Sequence, residues 1–266
     1  MNTQFSFKRG QEGFTLLELL LSMGIFVIIS GAAFGLLNTA QKRFQSEGQI
    51  LSSFQEGRLA LDQIVRDVND AGYPALNQFS AAVPATSYAA TPVAWSPTYP
   101  TTPCAIGTCT TPGNFDLILE EADSTTGNIE WIHYQLGCTA ATTLYRGVAA
   151  KSVGGVPATA TSCASGNMYP YATNVMNNAS AAQIAQINAA YPGTFPGGAP
   201  VPIFTYTCDL AGVPTPCGAA GASNAANNIR DVEITLIIMT QQRDMQTGQL
   251  RIVTLNGRGH RVNPNQ

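Results

Sequence analysis

Residues 14–37, FTLLELLLSMGIFVIISGAAFGLL, run for 24 positions with a single charge, Glu18, and no proline. A helix needs about 20 apolar residues to cross a hydrocarbon core, so the stretch is long enough to span a membrane. Lipid offers no partner to a backbone N–H or C=O, and a lone span must therefore be helical. Lys8 and Arg9 precede it. The positive-inside bias then holds the N-terminus in the cytoplasm and places the residues after Leu37 across the membrane. A secretory signal has a shorter apolar region and a small-residue cleavage site after it; SGAAFG at 30–35 is the candidate site here.

A carboxylate inside a span costs about 3 kcal/mol on insertion scales, which makes Glu18 a functional candidate in need of a partner. The span itself holds no cation. Cleavage between Gly13 and Phe14 creates one, an α-amino group with a pKa of about 8. In a bundle of similar helices that amine meets Glu18 of a neighbour. The alternative is a carboxylate that snorkels to the headgroups. The string KRGQEGFTLLELLLSMGIF resembles the class III signal of type IV pilins and type II secretion pseudopilins: a short basic leader, Gly13, Phe14, Thr15, and Glu18 at the fifth place after the cut. The resemblance implies that a prepilin peptidase cleaves after Gly13 and methylates the amine of Phe14. It also implies that Glu18 pairs with a neighbouring subunit's N-terminus during assembly.

After Leu37 the helical pattern continues without a breaker. Leu51, Phe54, Leu61, Val65 and Val68 recur at three- and four-residue steps, the period of one helix face. Gly72 and Pro74 predict its end, because glycine caps helices and proline does not continue them. Strands follow. FDLILE (115–120) and IEWIHYQL (129–136) predict a hairpin, with TTLYR (142–146) as the third strand of a meander. IFTYTC (203–208) is a further strand, and IRDVEITLIIM (229–239) with LRIVTLN (250–256) makes a final hairpin. The stretches 75–114 and 147–201, rich in Ala, Pro, Thr, Ser and Gly, read as inserts, the second with SAAQIAQINAAY as its one short helix.

With 266 residues, 45% hydrophobic and 11% charged, the chain supports one substantial core beside the span. One long helix followed by antiparallel strands is an α+β arrangement, the outer half of the helix lying on the sheet. The expected order is a leader at 1–13, a membrane half of the helix at 14–37, an amphipathic half at 38–72 and an extracytoplasmic β-rich head at 73–266. Cys104, Cys109, Cys138, Cys163, Cys208 and Cys217 all fall beyond the span. An even count in an exported segment favours disulfides, and the spacing suggests the loops 104–109, 138–163 and 208–217 among other connectivities. Zinc is the alternative, without metal-type spacing to support it.

The blocks LDQIVRDVNDAGYP, IHYQL with TTLYR, IFTYTCDLAG, and IRDVEITLII with LRIVTLNGRG resemble, in order, segments of PilW-type minor pilins and more loosely the J-type pseudopilin of secretion systems. The resemblance implies a type IV pilin-like fold and a non-enzymatic subunit of pilus assembly or initiation, without a cofactor. Its partners would be other major and minor pilins, the prepilin peptidase, the inner membrane and its assembly platform; its place, the inner membrane and then a pilus or pseudopilus. Two rivals stand beside it: a tip adhesin or DNA-binding subunit using the inserts and their aromatics Tyr88, Trp95, Tyr99, Tyr169, Tyr171 and Tyr191, and a membrane-anchored enzyme. No Ser/His/Asp, Cys/His or paired-acid signature supports the enzyme.

Four weaker signals complete the reading. Glu120, Glu121 and Asp123 read as a solvated charged turn rather than a calcium site. Arg251, Arg258, His260 and Arg261 read as a basic C-terminal patch, although a net charge of −3 offers no general excess for nucleic acid. His133 lies in an expected strand, packed or exposed rather than catalytic. NAS at 178–180 matches a glycosylation acceptor.

Overall fold

A computed structural model describes residues 13–94, 113–210, 212–217, 228–241, 243–244 and 247–261. The basic leader, Trp95, Tyr99, Cys104 and Cys109 lie outside the described residues. The chain divides into two compact units, Met1–Gly48 and Gln49–Gln266. One uninterrupted helix, α1 (Leu16–Asp70), begins in the first and ends in the second. The first unit is built on its apolar part, where an 18-residue window of mean hydropathy 2.3 has 0% of its residues buried. That segment is long and apolar enough to cross a membrane.

In the second unit α1 buries the stripe Ala60, Leu61, Ile64 and Val68, continued by Ala71 just past its end, with Phe54 and Val65 packed beside it. Leu51, expected on this stripe, is exposed instead, so the packed face starts at Phe54. The helix stops after Asp70 because Gly72 takes φ +89°, a region costly for residues with a Cβ. The Gly72 N–H then donates to Glu120 O at 2.8 Å, which ties the helix end to the first strand.

Among the described residues eight strands form two antiparallel sheets where a single sheet was expected. β1 (Asp116–Ala122), β2 (Ile129–Leu136), β3 (Leu144–Ala150) and β4 (Met168–Ala172) form a meander in chain order. β5 (Phe204–Leu210), β6 (Val213–Pro216), β7 (Ile229–Met239) and β8 (Ile252–His260) form the second sheet in the order β6-β5-β7-β8. The sequence reading missed β4, whose MYPYA lies in the presumed insert, and β6, and it cut β3 and β8 short by four residues each. A single apolar cluster joins the α1 stripe to Leu117, Leu119, Ile132 and Leu144 of the first sheet and to Phe204, Val232, Ile234 and Leu236 of the second. Helix and β8 approach closely at glycine: a Cβ on Gly259 would stand 2.5 Å from Val68 Cβ, and one on Gly257 2.8 Å from Leu61 Cδ1.

The presumed insert also carries α2 (Pro157–Ala160) and α3 (Ala181–Ala190), the latter started by a reciprocal cap between Ser180 and Gln183. α3 lays Ile184 and Ile187 over Ile237 on the outer face of the second sheet. Between β4 and α3 the chain crosses from one sheet to the other. Val175 bridges Ile238, and the buried Asn177 donates to Thr235 O (2.8 Å) and Val201 O (3.1 Å) while accepting from Ile237 N (2.8 Å). A side-chain amide thus supplies the ladder where β5 has ended. Cys138–Cys163 and Cys208–Cys217 are disulfides, the first holding the α2 segment beside the end of β2, the second closing the β5–β6 hairpin.

Candidate assembly site at the helix start

Gly13 and Phe14 precede the first turn of α1, and Phe14 is 88% exposed. Thr15 is the N-cap and Glu18 the third helical residue. Glu18 Oε2 accepts from Thr15 N at 3.1 Å and from Thr15 Oγ1 at 3.0 Å, while Glu18 N donates to Thr15 Oγ1 at 3.3 Å. This is a capping box, which satisfies two backbone donors that a helix start otherwise leaves open. The positive end of the helix dipole also favours a carboxylate here. Sequence reasoning overlooked this local partner for Glu18, although Thr-x-x-Glu ahead of an apolar run is its known signature. Glu18 Oε1 has no hydrogen bond among the described residues.

The second unit holds a groove of about 810 Å³ at the C-terminal end of α1, lined by Asp67, Asp70, Glu121, Asp123, Glu130 and Arg146 among others. At its base the buried Asp67 is the hub. Its Oδ2 accepts from Tyr134 OH at 2.5 Å and from Arg146 Nη2 at 2.9 Å, and its Oδ1 from Gln63 Nε2 at 2.5 Å. Burial, then the Asp67 charge, pushes the Tyr134 phenol far above its usual range. Burial, followed by the Asp67 charge, pushes the Glu121 carboxyl up to about 8. The hub fastens α1 to the first sheet.

The expected solvated turn at Glu120–Asp123 is corrected. Glu120 sits inside β1 with 0% exposure, accepting from Ala90 N (2.6 Å), Thr91 N (3.1 Å) and Trp131 Nε1 (3.0 Å) and pairing with Lys151 at 3.1 Å. Only Asp123 caps a turn, through Thr125 and Thr126. The basic patch is corrected too. Arg258 and His260 both bind the buried Asp231, at 2.8 and 2.5 Å, and Arg251 binds Asp244 at 2.6 Å. Arg261 is buried, donating to Ile229 O at 2.8 Å, and burial lowers its pKa to about 10. Arg258, His260 and Arg261 fasten the end of β8 to β7, and Arg251 closes the connector between the two strands. His133 is packed, with Nε2 against Asp116 and Nδ1 against Thr161 O, both at 2.5 Å. Among the described residues no group of three His, Cys, Asp or Glu side chains is placed to hold a metal ion.

Residues 8–34 match the family model described as the prokaryotic N-terminal methylation motif. The chain carries the class III signal of type IV pilin-like proteins. Neither the curated proteins nor the solved structures gave a match. The motif, over these residues, supports a pilin-like or pseudopilin reading and is of the kind that a prepilin peptidase processes. It covers the leader's basic residues, Gly13, Phe14, Glu18 and the apolar run through Phe34. The α+β architecture behind it, a long N-terminal helix packed with antiparallel sheets, is consistent with a type IV pilin-like fold.

Proposed function

We propose that the chain is a minor pilin of the PilW type, a structural subunit that helps initiate or build a type IV pilus. The carrying observation is the helix start, where the methylation motif coincides with a carboxylate held at the first turn of an exposed apolar helix. In this reading the peptidase cuts between Gly13 and Phe14, and the new amine of Phe14 is methylated. Glu18 then uses its open Oε1 to receive the amine of an adjacent subunit, so that neither charge enters apolar surroundings alone. Other pilins pack along the helix, and the head of residues 73–266 stays outside the inner membrane until assembly. The J-type secretion pseudopilin shares every one of these features, and genomic neighbours separate the two.

Intact mass and N-terminal sequencing of the protein from native membranes test the reading. A chain beginning at N-methylated Phe14 is the expected result. A chain still beginning at Met1 in cells with an active peptidase refutes it.

A further inference from the structure

The segment between β3 and β4 lies over the outer face of the first sheet, and both of its ends are fixed. At one end Lys151 N donates to Ile129 O and Lys151 Nζ to Tyr88 O, each at 2.9 Å. At the other end Cys163 is bonded to Cys138. Between them residues 152–162 form a strap around α2. Its backbone bonds are internal: Gly155 N to Ser152 O, Ala160 N to Val156 O, and Thr161 N to Pro157 O. Ala160 packs on a small cluster of Ala94, Ile118 and Trp131. Among the described residues every hydrogen bond from the strap to the sheet ends on one side chain, His133 of β2.

That side chain needs two protons to make its bonds. Nδ1 stands 2.5 Å from Thr161 O, and a carbonyl oxygen only accepts, so Nδ1 carries a hydrogen. Nε2 stands 2.5 Å from Asp116 Oδ1, a separation at which a proton lies between the two atoms. The ring and Asp116 together therefore hold one proton more than a neutral histidine beside a carboxylate. A neutral imidazole has a single N–H and cannot serve both acceptors. The charged carboxylate is the stronger of the two, so the remaining N–H stays with Asp116 and Thr161 O is left facing a lone pair. Thr161 Oγ1 does not take over, because it already donates to Pro157 O at 2.7 Å.

The other titratable groups around the ring have partners of their own. On β1 Glu120 pairs with Lys151, on β3 Tyr145 shares a hydrogen bond with Thr139 Oγ1, and on β5 Tyr206 donates to Asp116 O. Arg146 of β3 is turned to Asp67 on the opposite face. β4, the strap and residues 95–112 contain no charged side chain. We infer that residues 152–162 are a proton-operated strap, held on the first sheet while His133 and Asp116 share the extra proton and released from it when that proton leaves. Imidazole ionises within the pH range that proteins ordinarily meet. The proton favours the closed form, so the strap is held on the acid side and loosens as pH rises. Release withdraws Ala160 from Ile118 and Trp131, and the anchors at Lys151 and Cys163 confine the movement. The inference concerns the head alone and does not rest on the pilin reading.

Hydrogen exchange of the full-length chain in detergent micelles tests it at about pH 5.5 and about pH 8.5, on either side of the ordinary imidazole range, with each rate referred to the intrinsic rate at that pH. Protection of the Ala160 and Thr161 amides should fall at least about tenfold at the higher pH, while Ile132 and Tyr134 of the central strand stay protected. Asp116→Asn supplies a neutral amide that donates to Nε2, so that a neutral histidine keeps its Nδ1–H on Thr161 O. In that variant the strap should stay protected at both pH values. Equal protection of the unaltered strap at both values overturns the inference, as does an Asp116→Asn strap that is loose at either. Loss of protection at Ile132 and Tyr134 together with the strap overturns it too, because the head is then unfolding as a whole.

Discussion

Asp67 collects donors from Gln63, Tyr134 and Arg146, and two of them come from other elements, β2 and β3. Removing a carboxylate from such a hub strands a buried phenol and a guanidinium, so Asp67→Ala should cost about 3 kcal/mol in chemical denaturation. Tyr134→Phe, which deletes one donor without stranding a charge, should cost about 1 kcal/mol. Glu121 beside it makes an opposite, pH-dependent prediction. Its folded pKa of about 8 exceeds the ordinary carboxylate value, so the native state holds a proton that the unfolded chain releases. Stability from this group is full below the unfolded pKa of about 4.5 and is lost as pH rises toward 8. Glu121→Gln should therefore raise the melting temperature at pH 8.5 and leave it nearly unchanged at pH 4. At Asp231 burial pushes the pKa up, yet the hydrogen bonds from Arg258 and His260 prevail and hold it below the usual range. That carboxylate adds stability above its unfolded pKa and loses it as pH falls, which puts its effect on the acid side.

At the scale of elements, α1 and β8 meet because glycine removes the side chains that would hold them apart. A methyl at Gly259 falls on the Cβ of Val68, a rigid branched residue of the helix, so Gly259→Ala should destabilise the head by about 1–3 kcal/mol on thermal melting. The alternation along β7 and β8 marks both strands in the sequence, but GRG at 257–259 reads equally well as a loop, which is why the reading stopped β8 at Asn256. β4 escaped notice for a related reason. MYPYA holds a proline and is half exposed, and its strand character comes from pairing with β3 rather than from its own pattern. The Cys138–Cys163 bridge holds the connector between β3 and β4, and closing a loop of that size contributes about 3 kcal/mol through the unfolded state. Replacing both cysteines by serine should lower the denaturation free energy by that order.

For the whole molecule, the two compact units separate the tasks of anchoring and folding. Glu18→Ala removes one half of the helix cap and the proposed acceptor for a neighbour's amine, yet touches nothing in residues 49–266. The expected outcome is an unchanged melting transition of the head together with lost co-isolation of partner pilins and lost piliation. A loss of head stability instead would place Glu18 in folding rather than in assembly.

The apolar helix, its length and most of the strands were legible in the sequence, because each is a local pattern: an uninterrupted apolar run, a three- to four-residue period, a two-residue alternation. Tertiary structure alone decided the division into two sheets, the burial of Glu120 among Trp131, Lys151 and two backbone amides, and the service of Asn177 as a stand-in for a strand. It also decided that Arg258, His260 and Arg261 fasten the end of β8 to β7 and that Arg251 closes the connector between them through Asp244. Arg251 apart, the deciding partner lies tens of residues away or across a sheet, and a carboxylate or cation reads as solvated until that partner is in place.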